Sequence, residues 1–381
     1  MDGRLCCQGE RRLMEVYLAP VLLTVMALAA QVRKNRQADI AMLVTTFTVI
    51  ALIAGLRWYV DADYASYVEM YGENPPLSEF NGDSIAGLYG EPGYLFLTAI
   101  FKSFGVGFAL LALTCAFFSV VLKAIVVSRL SRHASFALCL YLCLHFITIE
   151  FIQMRWAVAT AFLVLGFCLQ YEKKHKAAIL SFALAIAFHY FSILYWIVAL
   201  LVTAKGYRRF YLLFAAALLG ALFLKIDNFS WLLISESDIY VLRRLTQHAT
   251  TDIESQIGLF SYAKLLMFPI VYAGCVWWRP SFPWKTDRLN LFLFKLSFVS
   301  LSATLFLTFL PILHLRATVI ADFFAIIWIV NALDHALSVH ERTLSFVGLG
   351  GLYCTWYVVD LSNYINSGRI LEYQTWLSRL R

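Results

Sequence analysis

Residues 134–171 read ASFALCLYLCLHFITIEFIQMRWAVATAFLVLGFCLQY, and this stretch decides the fold. It holds two apolar runs, 134–150 and 153–171, joined by Glu150-Phe151-Ile152-Gln153-Met154-Arg155. Each run is close to the roughly 20 residues a helix needs to cross a hydrocarbon core. A cation within such a run costs about 2.5–3.5 kcal/mol on insertion scales, so Arg155 is rarely kept without a task. His189 is a second polar residue between long apolar stretches, in Ala187-Phe188-His189-Tyr190-Phe191-Ser192. Together they point to an anionic ligand handled from one face of a bilayer.

The rest of the chain repeats the pattern. Of 381 residues, 61% are apolar and 14% charged, where a soluble protein carries about 25% charged residues. The composition predicts an all-α, polytopic integral membrane protein forming a single membrane domain over residues 1–381, with no soluble domain. The net charge of +7 reflects basic loops on one side of the membrane, so no nucleic-acid partner is expected. Six of the eight cysteines lie within apolar runs, where Cys packs as a small hydrophobe. Cys139 and Cys143 could share a helix face, but no His or carboxylate completes a metal set. Residues 14–32 read as a retained helix rather than a cleaved signal, with Met14 an alternative start.

Basic clusters set the topology. They are Arg33/Lys34/Arg36, Arg129/Arg132, Lys173/Lys174/Lys176, Lys205/Arg208/Arg209 and Arg279/Lys285/Arg288. Lys/Arg-rich short loops mark the cytoplasmic side, so the acidic connections at 60–105 and 227–258 become the two long outer loops. Spans follow near 14–32, 40–59, 107–128, 134–150, 153–171, 210–226, 259–278, 289–313, 317–334 and 343–361. Residues 177–204 carry basic clusters at both ends and read as a broken or re-entrant pair with its tip near His189, giving about 10–12 transmembrane helices in all. A single tilted helix of 28 residues is the alternative. The pair sets Asp61, Asp63, Glu91, Arg155, His189 and Arg316 at the outer face.

Three arginines from distant parts of the chain, Arg57, Arg155 and Arg316, stand at or near outer span ends. A guanidinium keeps its charge, and its planar fork suits pyrophosphate oxygens. Interfacial snorkelling is the ligand-free explanation for such positions. His189 suits proton transfer, or a purely structural hydrogen bond, as do His145 and His314. Asp63 and Glu91 are alternative bases, or groups that hold sugar hydroxyls. Trp58, Tyr64, Tyr67 and Tyr94 could stack on sugars or anchor the interface. No P-loop, Gly-x-Gly-x-x-Gly or His-Glu-x-x-His occurs, which disfavours ATP-driven transport and metalloprotease chemistry. Asp61-Ala62-Asp63 looks like the acidic pair of cation-dependent sugar transfer, but no metal is assigned.

The ordered set Arg57-Trp58-Tyr59-Val60-Asp61-Ala62-Asp63-Tyr64, Tyr67, Glu91-Pro92-Gly93-Tyr94, Met154-Arg155-Trp156-Ala157-Val158-Ala159, Phe188-His189 and Leu315-Arg316 resembles the EpsG/Wzy-type family of bacterial polysaccharide polymerases. Two positions depart from that pattern: Asp61 stands where Gly is usual, and Trp156 where Gln is usual. The resemblance implies a cofactor-free glycosyltransferase joining undecaprenyl-diphosphate-linked oligosaccharide repeat units at the outer face of the bacterial inner membrane. It gives Arg155 and Arg316 the diphosphate, with Arg57 supporting, and His189 the proton. Asp63 and Glu91 then orient hydroxyls or act as base, and Tyr64, Tyr67 and Tyr94 line the glycan. The implied partners are the lipid-linked oligosaccharide, the bilayer and a chain-length regulator protein. A flippase for the same lipid or a polysaccharide ligase are the rival functions.

Overall fold

In hydrocarbon every backbone N–H and C=O must be satisfied within its own segment, so long runs of Leu, Ala, Val and Phe become helices. The computed structural model describes residues 15–32, 35–85, 87–203, 212–213, 215–217, 219, 259–278, 287–309 and 311–379. After a 3-10 turn, Glu15–Leu18, come α1 (Ala19–Val32), α2 (Arg36–Gly55), α3 (Tyr64–Glu73) and α4 (Pro92–Ser103). Then follow α5 (Phe108–Leu130), α6 (Ala134–His145, running on as a π-helix over Phe146–Ile152), α7 (Met154–Tyr171) and α8 (His175–Phe188). The remainder is α9 (Leu194–Thr203), α10 (Leu259–Trp278), α11 (Arg288–Phe306), α12 (Pro311–Ala336) and α13 (Val339–Asn366). Among the described residues there are isolated β-bridges but no strand.

Seven described helices are long and apolar enough to cross a membrane: α2, α5, α6 with its π segment, α7, α11, Ile312–Ala336 of α12, and α13. Shorter apolar helices cover Glu15–Gln31, His175–Phe188, Tyr190–Thr203 and Leu266–Trp277. The chain is an all-α polytopic membrane protein. The span expected over 210–226 and the outer loop over 227–258 lie outside the described residues.

The helices gather into two compact units, residues 1–192 with 339–381, and residues 193–338. At the centre of the first is α6, of which every residue but Leu144 is buried. It is packed by α1, α2, α5 and α13, while α5 also carries α2 and α7, and α7 carries α8. Cys139 and Cys143 on α6 are buried, and their sulfurs meet the hydroxyls of Thr46 (3.6 Å) and Thr24 (3.4 Å). The N-terminus of α6 is capped from another helix, with the Asp39 carboxylate accepting from the N–H groups of Ala134 and Ser135 (both 3.2 Å). Helices α2 and α5 touch backbone to backbone, since a Cβ on Gly55 would lie 2.6 Å from Leu113 Cα. In the second unit α11 packs on α12 and α9, with Tyr272, Phe268 and Trp328 stacked between α10 and α12.

Two breaks matter for the site. The stretch 177–204 is interrupted as expected, α8 ending at Phe188 and a 3-10 turn, Tyr190–Ile193, following His189. The late break falls earlier than the sequence suggested, at the 3-10 turn Leu307–Phe309 rather than at 314–316. Proline lacks the N–H that a continuing helix needs, so Pro311 opens α12 and places Arg316 in its second turn.

After α13 the C-terminal stretch lies across the first unit as a strap. Leu371 N–H donates to Val60 (2.9 Å), Trp58 N–H to Gln374 (2.9 Å) and Trp376 N–H to Leu56 (3.2 Å). Tyr373 donates to the Ile53 carbonyl (2.9 Å), and Tyr17 donates to the Leu371 carbonyl (2.8 Å).

Gly55→Val is expected to destabilise the protein by about 1–3 kcal/mol, the range for overpacking a close contact. Thermal unfolding in detergent reads this, and a variant as stable as the parent would mean that α2 and α5 do not meet at Gly55.

A caged arginine at the candidate active site

Helices α3 and α4 are tied together before they meet the rest of the bundle. Asn74 Nδ2 donates to the Leu95 carbonyl (2.9 Å), Lys102 Nζ to the carbonyls of Gly72 (2.8 Å) and Asn74 (2.5 Å), and Tyr71 to that of Val106. This brings Tyr67 of α3 and Tyr94 of α4 to a ring separation of 6.0 Å. The guanidinium of Arg155, second residue of α7, enters between them. Its Cζ lies 4.9 Å from the Tyr89 ring centre, 5.8 Å from Tyr67 and 5.9 Å from Tyr94. Its Nη1 donates to Glu91 Oε2 at 2.5 Å, with the two side chains 13% and 9% exposed. A buried cation is tolerable only with such compensation, here one carboxylate and three π-faces.

Each residue of Glu91-Pro92-Gly93-Tyr94 has a separate job in this arrangement. Glu91 occupies the cap position of α4, yet its side chain goes to Arg155 rather than to the helix. Pro92 starts the helix, where a missing N–H does no harm. Gly93 lets α4 touch the end of α8, since a Cβ there would fall 2.8 Å from the Ala187 carbonyl oxygen. Tyr94 completes the cage.

Burial pushes the Tyr67 phenol up, while the Arg155 guanidinium and its hydrogen bonds pull it partly back. Tyr94 is raised well above the ordinary value and Tyr64 to about 12, both by burial first. All three phenols are therefore neutral near pH 7, giving O–H groups and ring faces without charge. Asp63 stands at the cap position of α3, and its charge also acts on Tyr67, so it belongs to the same neighbourhood.

His189 reaches this neighbourhood through the residue after Arg155, its ring 4.9 Å from that of Trp156. The histidine is buried at the broken end of α8. Its Nδ1 accepts the Phe191 N–H at 3.3 Å, which in the neutral ring puts the proton on Nε2. The arrangement suits a hydrogen-bond donor at Nε2 better than a base.

Thus Asp63, Tyr67, Glu91, Tyr94, Arg155 and His189 come together in one unit, as does Tyr89, which the sequence reading passed over. Its one sequence signal was its place in the turn that carries Glu91. Arg57 and Tyr64 form an adjoining group, with Arg57 Cζ 5.8 Å from the Tyr64 ring. There Arg57 Nε donates to Asp61 Oδ2 at 2.7 Å, both side chains fully enclosed, and Nη1 donates to the Ala54 carbonyl. The other Asp61 oxygen accepts the Asp63 N–H (3.1 Å), so Asp61 works as a structural acceptor. Tyr59 beside it holds a left-handed φ of 49°, rare for an aromatic residue, with its ring 4.8 Å from Tyr64. Arg316 lies half-buried on α12 in the second unit. Among the described residues no three His, Cys, Asp or Glu side chains form a metal-ligating group.

A cation, a carboxylate and three aromatic rings thus share one group in a multi-pass bundle. The family model of the EpsG family matches residues 40–375, and the chain belongs to that family. Membership carries a polysaccharide-polymerase type of role, that of a glycosyltransferase-like enzyme. No curated protein and no solved structure matches the chain.

Gly93→Ala is expected to cost about 1–3 kcal/mol through its clash with Ala187, and to reduce polymer formation in cells at equal protein level. Parental stability and polymer in this variant would show that α4 and α8 do not approach as described.

Proposed function

We propose that this protein polymerises undecaprenyl-diphosphate-linked oligosaccharide repeat units at the outer face of the bacterial inner membrane, making O-antigen or exopolysaccharide. The observation that carries the proposal is the caged Arg155, a permanent cation set among ring faces and carboxylates. That combination suits a sugar joined to a diphosphate.

In the reaction a hydroxyl oxygen of one repeat unit attacks the anomeric carbon of the lipid-linked chain. The anomeric C–O bond to the diphosphate breaks, and undecaprenyl diphosphate leaves with the electron pair. Arg155 and the Nε2–H of His189 stabilise the negative charge that grows on the departing phosphate. Glu91 takes the hydroxyl proton. In the resting pair Glu91 Oε2 is taken up by the Arg155 guanidinium, and a diphosphate drawn to that guanidinium competes for the hydrogen bond and frees the carboxylate to accept. Binding of the donor thereby readies the base. Asp63 orients the acceptor hydroxyl beside Tyr67, and Tyr64, Tyr67, Tyr89 and Tyr94 offer ring faces to the sugars. A chain-length regulator protein would act on this enzyme from outside the site.

The test uses purified protein in nanodiscs with undecaprenyl-diphosphate-linked repeat units from the host. A ladder of products is expected, reduced about 100-fold or more in Arg155→Ala, in line with losing one charge-stabilising donor. No ladder from intact parental protein would overturn the proposal in favour of a flippase or a ligase. His189→Gln, which keeps an N–H donor, is expected to retain more activity than His189→Ala. Equal loss in the two would remove the donor role.

A further inference from the structure

Besides Arg57–Asp61, the described residues hold a second fully enclosed ionic pair, and it joins the chain on either side of Arg155. Lys123, inside the apolar α5, is buried, and its Nζ donates to Glu150 Oε1 at 2.6 Å, to Ser119 Oγ at 2.8 Å and to the Ala157 carbonyl at 3.0 Å. Tyr141 donates to the same carboxylate at 2.9 Å. Ser119 Oγ stands 2.7 Å from Glu150 Oε2 and 2.9 Å from the Ala157 carbonyl, with one proton for the two. Two ions cost much to bring into hydrocarbon, and a pair of this kind is a poor source of stability compared with apolar packing. Its position says more than its strength.

Glu150 belongs to the π-helical end of α6, and Ala157 to the first turn of α7. Between them the helix is interrupted at Gln153, where φ is −91° and ψ 68°. A single ammonium therefore grips the chain on both sides of the break. The turn it holds carries Arg155 into the tyrosine cage and Trp156 onto His189.

We propose that Lys123 and Glu150 form a clip across the Gln153 break, and that they are positioning residues which set the direction of Arg155 and Trp156 for diphosphate binding. This rests on the diphosphate reading of Arg155. The clip touches no reacting atom and acts through the backbone of α7 alone.

The variant that tests it is Lys123→Met/Glu150→Gln, in which no buried charge is left unpaired and the new side-chain amide keeps an acceptor and donors for Tyr141 and Ser119. Three readouts are taken in nanodiscs: melting temperature, amide exchange of residues 150–158, and affinity for undecaprenyl diphosphate. A melting temperature near the parent's, exchange at least 10-fold faster and affinity at least 10-fold weaker are expected. Parental exchange, or faster exchange with parental affinity, overturns the proposal. Should the double variant not fold, Ser119→Ala removes only the hydroxyl link, and a 3-fold or greater loss of affinity is expected; parental affinity there overturns the proposal as well. Arg155→Ala is the control for the reading beneath it. If Arg155→Ala binds undecaprenyl diphosphate as the parent does, the diphosphate reading fails and the positioning claim falls with it, while the exchange data still report whether the clip exists.

Discussion

A positive charge cannot be left alone in a membrane bundle, and the first unit is organised around meeting that requirement. Among the described residues three enclosed cations each have a carboxylate: Lys123 with Glu150, Arg57 with Asp61, and Arg155 with Glu91. Removing one partner of such a pair costs about 3–5 kcal/mol, although the pair itself adds little over apolar packing. Each pair therefore acts as a constraint on where chain segments meet. Lys123 fixes α5 against α6 and α7, and Arg57–Asp61 lies where the C-terminal strap crosses residues 56–61. The Arg155 pair is different in one respect, since its side chains keep 13% and 9% of their exposure while the other two pairs keep about 1% or none. It is the pair a ligand can reach.

The two positions at which the chain departs from the family pattern both do local work. Asp61 neutralises Arg57 at 2.7 Å and receives the Asp63 N–H, so it stands between a buried cation and the start of α3. Glycine could do neither. Trp156 meets His189 at 4.9 Å and Phe191 at 5.5 Å, filling the space between the start of α7 and the turn after α8. Trp156 thereby shapes the surroundings of the caged arginine, and Asp61 those of the adjoining Arg57.

The fold class and most residues of the candidate site were legible because their signals are local. Arg155 and His189 stood out as polar residues between apolar runs, and Glu91-Pro92-Gly93-Tyr94 as a turn before a short helix. What stayed hidden depends on pairing across the chain. Lys123 passed unremarked in its apolar run, and only the packing of α5 against α6 and α7 shows that it faces inward to Glu150, 27 residues away. Arg57 was read as a ligand clamp, though its i,i+4 spacing to Asp61 was a visible sign of internal neutralisation. The C-terminal strap is held mainly by backbone hydrogen bonds, which leave little trace in side-chain pattern.

Helix breaks are costly in a bilayer, yet this unit gathers several in one place. The π-helix ends at Ile152, α7 begins after a non-helical Gln153, and α8 stops at Phe188. These breaks are neighbours in space, because Trp156 packs on His189 and Gly93 on Ala187. Interrupted backbone is tolerated at membrane depth only where protein or an aqueous cavity satisfies it. Here His189 Nδ1 takes the freed Phe191 N–H, and Lys123 and Ser119 tie the Ala157 carbonyl after the Gln153 break to Glu150 before it. A break also frees a side chain from the fixed radial direction a continuous helix imposes. Arg155, at the first turn after one break, and His189, at the tip of another, can therefore point where a continuous pair of spans could not send them. The buried polar network is what makes such breaks tolerable, and the breaks are what make the site.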